Sequence, residues 1–283
     1  MCAERFDLKM RKIRCAFYPE YRALQKMFLS LKLDFVLRML KKGYVILMYH
    51  STPVSASWVY DVGRNYFKEQ IEYVSNNYDV LSILSIVERM RRGEKLHKTV
   101  FGITFDDGYK NNYKVAYPLL VKYNIPATIF PCTSYITEDG SYKSTTGEQM
   151  LSWSEIEEMK ESGLITVGSH SHTHPNLTSI TKEEVINEIE TSKRMFQDKL
   201  SVEVELFSVP GGYINDYVKE IIKSRGFRAI LTSKSSINPA NQSPFDIGRM
   251  CIRIRNQELP SFAFKILGIE DKISKMTGMG NHG

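Results

Sequence analysis

The chain has 283 residues, 42% of them hydrophobic and 25% charged, with a formal net charge of +6. That composition excludes collagen-like, low-complexity and disordered chains, and the length suits a single α/β barrel with an ample core. The charge is concentrated: residues 1–43 carry 11 Lys/Arg against 4 Asp/Glu, so residues 44–283 are close to neutral and lack the basic stripe expected of a nucleic-acid binder.

The four cysteines, Cys2, Cys15, Cys132 and Cys251, form no C-x-x-C pair, which points to reduced thiols and a cytoplasmic protein. Met1 to Arg14 mixes acids and bases without the apolar stretch of a secretory signal, and no apolar run is long enough to span a bilayer. Residues 20–42 read as a basic amphipathic helix. Leu24, Met27, Phe28, Leu31 and Phe35 follow i, i+3, i+4, i+7 spacing, Leu33, Val36, Leu37 and Leu40 widen the stripe, and Gly43 supplies a stop. Such a helix either packs on the domain or lies on an anionic membrane surface at the inner face of the membrane.

From Tyr44 onward, short apolar runs alternate with helical patterns. Strands are expected at Tyr44–Tyr49, Val100–Phe105, Ala127–Pro131, Ile165–Ser169, Glu205–Val209, Ala229–Thr232 and Ile247–Ile254. Helices are expected at Tyr66–Asn76, Ile83–Arg92, Lys114–Tyr123, Ser154–Ser162, Lys182–Lys199 and Asp216–Ser224. Thr181 and Glu184 form a capping box, and Gly163 and Gly226 sit just past helix ends. Strand–helix alternation implies an α/β fold with a parallel sheet. Three regions follow: a basic N-terminal segment at 1–43, a catalytic domain at 44–260, and a C-terminal tail at 261–283 whose last stretch, Met276–Gly283, reads as mobile. Cys132–Met150, polar and turn-rich after a strand, reads as a rim loop.

Chemistry-bearing residues cluster at predicted strand ends, where the catalytic face of a barrel lies. His170, His172 and His174 fall within five residues, Asp106 and Asp107 end an apolar run, His50 follows the first strand, and Pro210-Gly211-Gly212 follows a later one. Two imidazoles four apart plus a carboxylate make a site for a divalent metal with positions left open for water, and the second carboxylate is then available to move a proton. With the even spacing 170, 172, 174, His172 is a rival ligand if the segment is extended.

Thr104-Phe105-Asp106-Asp107-Gly108, Gly168-Ser169-His170-x-x-x-His174-Pro175, Met48-Tyr49-His50 and Leu151-Ser152-Trp153-Ser154-Glu155 resemble the polysaccharide deacetylase family, the NodB-homology domain of carbohydrate esterase family 4, over about residues 44–255. The resemblance implies a distorted (β/α) barrel with one divalent metal, zinc in the first instance, with cobalt or nickel as substitutes. It implies Asp106 as general base, Asp107, His170 and His174 as ligands, His172 pointing elsewhere, and the Gly211 backbone N–H as oxyanion donor. Two family features are missing. The third motif reads Phe207-Ser208-Val209-Pro210 where the family has an arginine that orients the base, and Arg249 is the candidate replacement. The family's late histidine is absent, since after His174 only His282 remains, and His50 is the candidate acid. The implied activity is removal of N-acetyl groups from an amino sugar in a polysaccharide or a lipid-linked glycan precursor. The competing readings are a deformylase or O-deacylase on the same fold, and an inactive carbohydrate-binding protein.

Overall fold

A computed structural model describes residues 22–31 and 33–270. The basic residues 1–21 with Cys2 and Cys15, and the expected tail stretch Met276–Gly283 with His282, lie outside the described residues.

The elements in chain order are α1 (22–30), α2 (Leu33–Leu40), β1 (Gly43–Tyr49), α3 (Arg64–Asn77), β2 (Asp79–Val80), α4 (Ile83–Arg91), β3 (Thr99–Asp107), α5 (Tyr117–Lys122), β4 (Ala127–Pro131), α6 (Trp153–Glu161), β5 (Ile165–Val167), α7 (Lys182–Leu200), β6 (Leu206–Ser208), α8 (Asp216–Ser224), β7 (Ala229–Leu231), β8 (Met250–Cys251) and α9 (Leu259–Ile266). All strand pairings are parallel: β5, β4, β3, β1 and β8 form one sheet in that order, with β2 also on β3, and β6 pairs with β7. Single parallel bridges, Ser169 to Phe207 and Leu231 to Ile247, join the two sheets at both edges. The strands therefore close into a distorted (β/α) barrel whose seams are held by one bridge each rather than by full ladders.

Strand alternation sorts side chains between the barrel interior and the helical shell. In β3, Phe101, Ile103 and Phe105 pack outward with Phe67 and Ile71 of α3, whereas Val100, Gly102, Thr104 and Asp106 face inward. Tyr44, Ile46, Leu206, Leu231 and Ile247 fill the interior, and α4 closes its lower end with Ile83, Ile86, Val87 and Met90. Gly102 makes room for that plug, since a Cβ there would stand 2.6 Å from the Ile83 side chain. The upper end is left to polar residues.

The capping box at Thr181 and Glu184 is formed, and Ser152 with Glu155 makes another at the start of α6. Three elements differ from the sequence reading. The expected single helix at 20–42 is two helices separated by a turn at Leu31. Lys114–Tyr123 starts as a wide π-type turn (Asn112–Ala116) before becoming α5 at Tyr117. Residues 261–266, expected as tail, belong to α9, which begins at Leu259 and buries Phe262, Ala263, Phe264 and Ile266 in the core.

The N-terminal helices dock on this barrel through one face. Phe28 packs edge-on against Phe264 of α9, with ring centroids 5.0 Å apart; Arg22 pairs with Glu258; Gln25 is buried; and the Tyr73 hydroxyl donates to buried Asp34 at 2.6 Å. The opposite face is open: Leu24, Met27, Leu31 and Leu40 are 46%, 52%, 61% and 72% exposed.

Candidate metal centre and active site

Asp106 and Asp107 end β3, and the chain turns there in a way that separates their roles. Asp106 keeps the inward direction of Thr104. Asp107 adopts φ 69°, a left-handed conformation that swings its carboxylate toward the histidine loop. Ser171 (φ 66°) and His174 (φ 62°) are in the same region of backbone space. Each such non-glycine residue carries strain of about 1–3 kcal/mol, and here they gather around one point.

His170 Nε2 lies 3.4 Å from Asp107 Oδ1, and His174 Nε2 lies 3.6 Å from the same oxygen. Atoms bound to a tetrahedral zinc at about 2.0–2.1 Å stand about 3.3–3.4 Å apart, so the spacing fits one divalent ion. The His170 tautomer fits as well: Nδ1–H donates to the Ser208 carbonyl at 2.8 Å, which leaves the Nε2 lone pair facing Asp107. Burial opposes charge on His170, but Asp106 and Asp107 outweigh it and raise its pKa, as expected of a place built to hold a cation.

His172 is turned away, with Nδ1 2.9 Å from the Thr133 hydroxyl. Its loop is anchored by the buried carboxylate of Glu188 on α7, which accepts from His172 N at 2.9 Å, Thr173 N at 2.7 Å and the Thr173 hydroxyl at 2.6 Å. The loop is therefore turned rather than extended, and the rival ligand set containing His172 is not assembled.

Arg249 is fully buried and donates to both oxygens of Asp106, from Nη1 to Oδ1 and from Nη2 to Oδ2, each at 2.7 Å. Ser208 completes the clamp, accepting from Arg249 at 2.8 Å and donating to Asp106 at 3.2 Å. Thr104 and the Thr232 carbonyl hold the remaining guanidinium hydrogens. Burial alone would raise the Asp106 pKa. The charges of Arg249 and His170 and the Arg249 hydrogen bonds reverse this and hold it well below the usual carboxylate range. Asp106 is thus kept ionised, and its Oδ2 remains 3.9 Å from His170 Nε2.

His50 sits directly beyond β1 and senses Asp107, Asp106, Arg249 and His170 electrostatically. Burial lowers its pKa, the carboxylates oppose the shift, and its Nδ1 is buried with no hydrogen-bond partner among the described residues. Gly211 follows β6 in a tight turn at φ 61° and is exposed, so its backbone approaches solvent beside Ser208.

The sequence reading missed several residues here. Cys132, just after β4, belongs to the same donor cluster as Asp107, His170 and His174. Burial, reinforced by Asp107 and Asp106, pushes its thiol pKa up, and the thiol donates to the His170 carbonyl at 3.4 Å. It braces the ligand loop as a neutral thiol. Tyr109 follows the acids at the end of β3, and burial, followed by the charge of Asp107, raises its hydroxyl pKa. Ser208 had a signal, since it stands within the motif that lacks its arginine; Cys132 and Tyr109 had only their strand-end positions.

Residues 93–230 match the family model described as polysaccharide deacetylase. The Bacillus subtilis protein YxkH is 29% identical over 206 residues, covering 72% of this chain and 70% of its own. The poly-beta-1,6-N-acetyl-D-glucosamine N-deacetylase of Staphylococcus aureus is 26% identical over 202 residues, 68% of each chain. Among solved structures, the Streptococcus pyogenes deacetylase PplD, determined in complex with acetate, superposes with a TM-score of 0.67 at 26% identity, covering 75% of this chain and 92% of its own.

Proposed function

The chain belongs to the polysaccharide deacetylase family, and on that premise we propose that it hydrolyses the N-acetyl group of an amino sugar, in a polysaccharide or a lipid-linked glycan precursor, to acetate and a free amine. The observation that carries this reading is the division of labour between adjacent acids. Asp107 joins His170 and His174 in a triangle of ligand atoms, while Asp106 is left outside it and clamped by Arg249. A binding module has no use for the second, cation-clamped carboxylate.

Asp107, His170 and His174 would hold the divalent ion, and zinc suits this nitrogen and oxygen donor set, with cobalt or nickel as substitutes. When bound, such an ion polarises an amide carbonyl and makes water acidic enough to lose a proton near neutral pH. Asp106 takes that proton. Arg249 and Ser208 fix the direction of its free lone pairs and keep it ionised, so it stands ready at all neutral pH values. As water adds to the acetamide carbon, the Gly211 N–H donates to the developing oxyanion. His50 then gives a proton to the nitrogen as the C–N bond breaks, because an amide anion is a very poor leaving group.

The test is acetate release by metal-loaded protein from a panel of N-acetylated glycans and lipid-linked sugars. A β-1,6-linked N-acetylglucosamine oligomer heads the panel because the Staphylococcus aureus relative is named for that polymer. Acetate from one class identifies the substrate. Formate instead would make the protein a deformylase, and sugar binding without any release would make it an inactive binder.

Location belongs to the same proposal: a cytoplasmic enzyme resting on an anionic leaflet through its N-terminal helices. Support comes from the open apolar face at Leu24, Met27 and Leu31 and from the positive balance of residues 1–43. Among the described residues no helix is long and apolar enough to cross a membrane.

A further inference from the structure

The segment between β1 and α3 carries aromatic rings at the mouth of the site that the proposed chemistry does not use. Trp58 and Tyr60 are both half-buried. The Tyr60 ring lies 4.7 Å from the His50 ring and 4.8 Å from Trp58, and the Arg253 guanidinium sits 4.8 Å above it. Trp58 in turn stands 6.1 Å from Tyr109, two residues beyond Asp107 in the chain. Trp58 thereby borders the site on two sides, through Tyr60 at His50 and through Tyr109 just past Asp107.

The segment is held in place by its own backbone. Asp61, itself buried, accepts from Ser57 N at 2.8 Å and Trp58 N at 2.7 Å, and Asp61 N donates back to the Trp58 carbonyl at 3.0 Å. Val62 N donates to the Ser51 carbonyl and Ile254 N to the Val59 carbonyl, which pins the segment to the chain just past β1 on one side and to the chain after β8 on the other. An indole fixed in this way loses little freedom on binding.

We propose that Trp58, braced by Tyr60, is a stacking platform for a neutral pyranose ring, the sugar unit next to the one whose acetamide enters the site. The C–H face of a pyranose is apolar while its hydroxyl edge is polar, so a half-exposed indole can cover the face and leave the hydroxyls in water. The platform makes an oligosaccharide a better substrate than a monosaccharide. It rests on the reading of the site as a glycan deacetylase.

Both tryptophans can be told apart by emission. The chain has two, and Trp153 is buried against Phe196 in the core. Full-length, zinc-loaded protein carrying Asp106→Asn, titrated with N-acetylglucosamine oligosaccharides, should show a saturable change in fluorescence that disappears when Trp58→Phe is added. In otherwise wild-type protein, Trp58→Ala should raise KM for the oligosaccharide about ten-fold with a smaller change in kcat, and Trp58→Phe should restore most of it. An emission change that survives Trp58→Phe, or a Trp58→Ala protein with unaltered KM, overturns the platform. Wild-type protein that releases no acetate from any N-acetylated glycan overturns the deacetylase reading instead, and the fluorescence titration then still decides the platform.

Discussion

Arg249 and Asp106, 143 positions apart in the chain, meet through paired 2.7 Å hydrogen bonds inside the closing seam of the barrel. Bidentate geometry and complete burial make this pair costly to break from one side, because the surviving carboxylate is left charged and dry. In metal-free protein Arg249→Met should lower unfolding free energy at pH 7 by about 3–5 kcal/mol. The sign with pH follows from Asp106. Its folded pKa is depressed, so the pair stabilises above the unfolded value of about 3.9 and loses that effect as pH falls below it. The gap between wild type and Arg249→Met, read from denaturant unfolding, should therefore narrow toward acid pH. A gap that is constant with pH would mean that Arg249 stabilises by packing alone.

The same substitution should move catalysis. Without the guanidinium, burial is left to raise the Asp106 pKa, so the acid limb of the kcat/KM profile should shift to higher pH. Arg249→Lys, which keeps the charge but not the fork, should shift it less while still slowing turnover. An acid limb that stays fixed in both variants would remove Asp106 as its source.

Metal content should sort the histidines. One divalent ion per chain is expected by elemental analysis, with Asp107→Ala, His170→Ala and His174→Ala each losing it. His172→Ala should keep the ion, since that imidazole is bonded to Thr133. Chelation should abolish turnover and re-addition restore it. Full activity in a verified metal-free sample would end the metal hypothesis.

Asp106→Asn should retain the ion but lose turnover by about 10²–10⁴, the amide being unable to accept a proton from water. Loss of metal in this variant, with retention in Asp107→Asn, would reverse the two roles.

His50→Ala should cut turnover by a similar factor of about 10²–10⁴ without altering metal content. Burial already disfavours the imidazolium here, so the alkaline limb of wild-type activity should be the one that flattens or moves in the variant. Near-normal turnover would place the acid elsewhere.

The N-terminal helices should prove to be both core and surface. A protein beginning at Gly43 loses the Phe28–Phe264 contact, the Arg22–Glu258 pair and the Asp34–Tyr73 bond, and should precipitate or unfold at lower temperature. A full-length variant with Leu24, Met27 and Leu31 all changed to Gln should stay folded. The wild type should sediment with anionic vesicles, less so at high salt, and the Gln variant should not. Sedimentation unchanged in the Gln variant would exclude this face as the contact.

Much of the barrel was legible in the sequence because its signals are local. Apolar runs ending in Asp106-Asp107 or His170, the capping box at Thr181 and Glu184, and the glycines after α6 and α8 each depend on a few neighbouring residues, and strand-end position alone brought the acids, the histidines and His50 to one rim. Other features depend on partners far along the chain. The wide turn before α5, the break at Leu31 and the burial of α9 answer to packing that periodicity does not record. The single bridges from Ser169 to Phe207 and from Leu231 to Ile247 close the barrel without any repeating pattern. Those closures put Ser208 beside Asp106, turn Arg249 inward from between Ile247 and Met250, and stand Cys132 behind His170. Sequence determined which residues end the strands; only ring closure decided which of them meet, because that depends on strand register around a barrel and not on spacing along the chain.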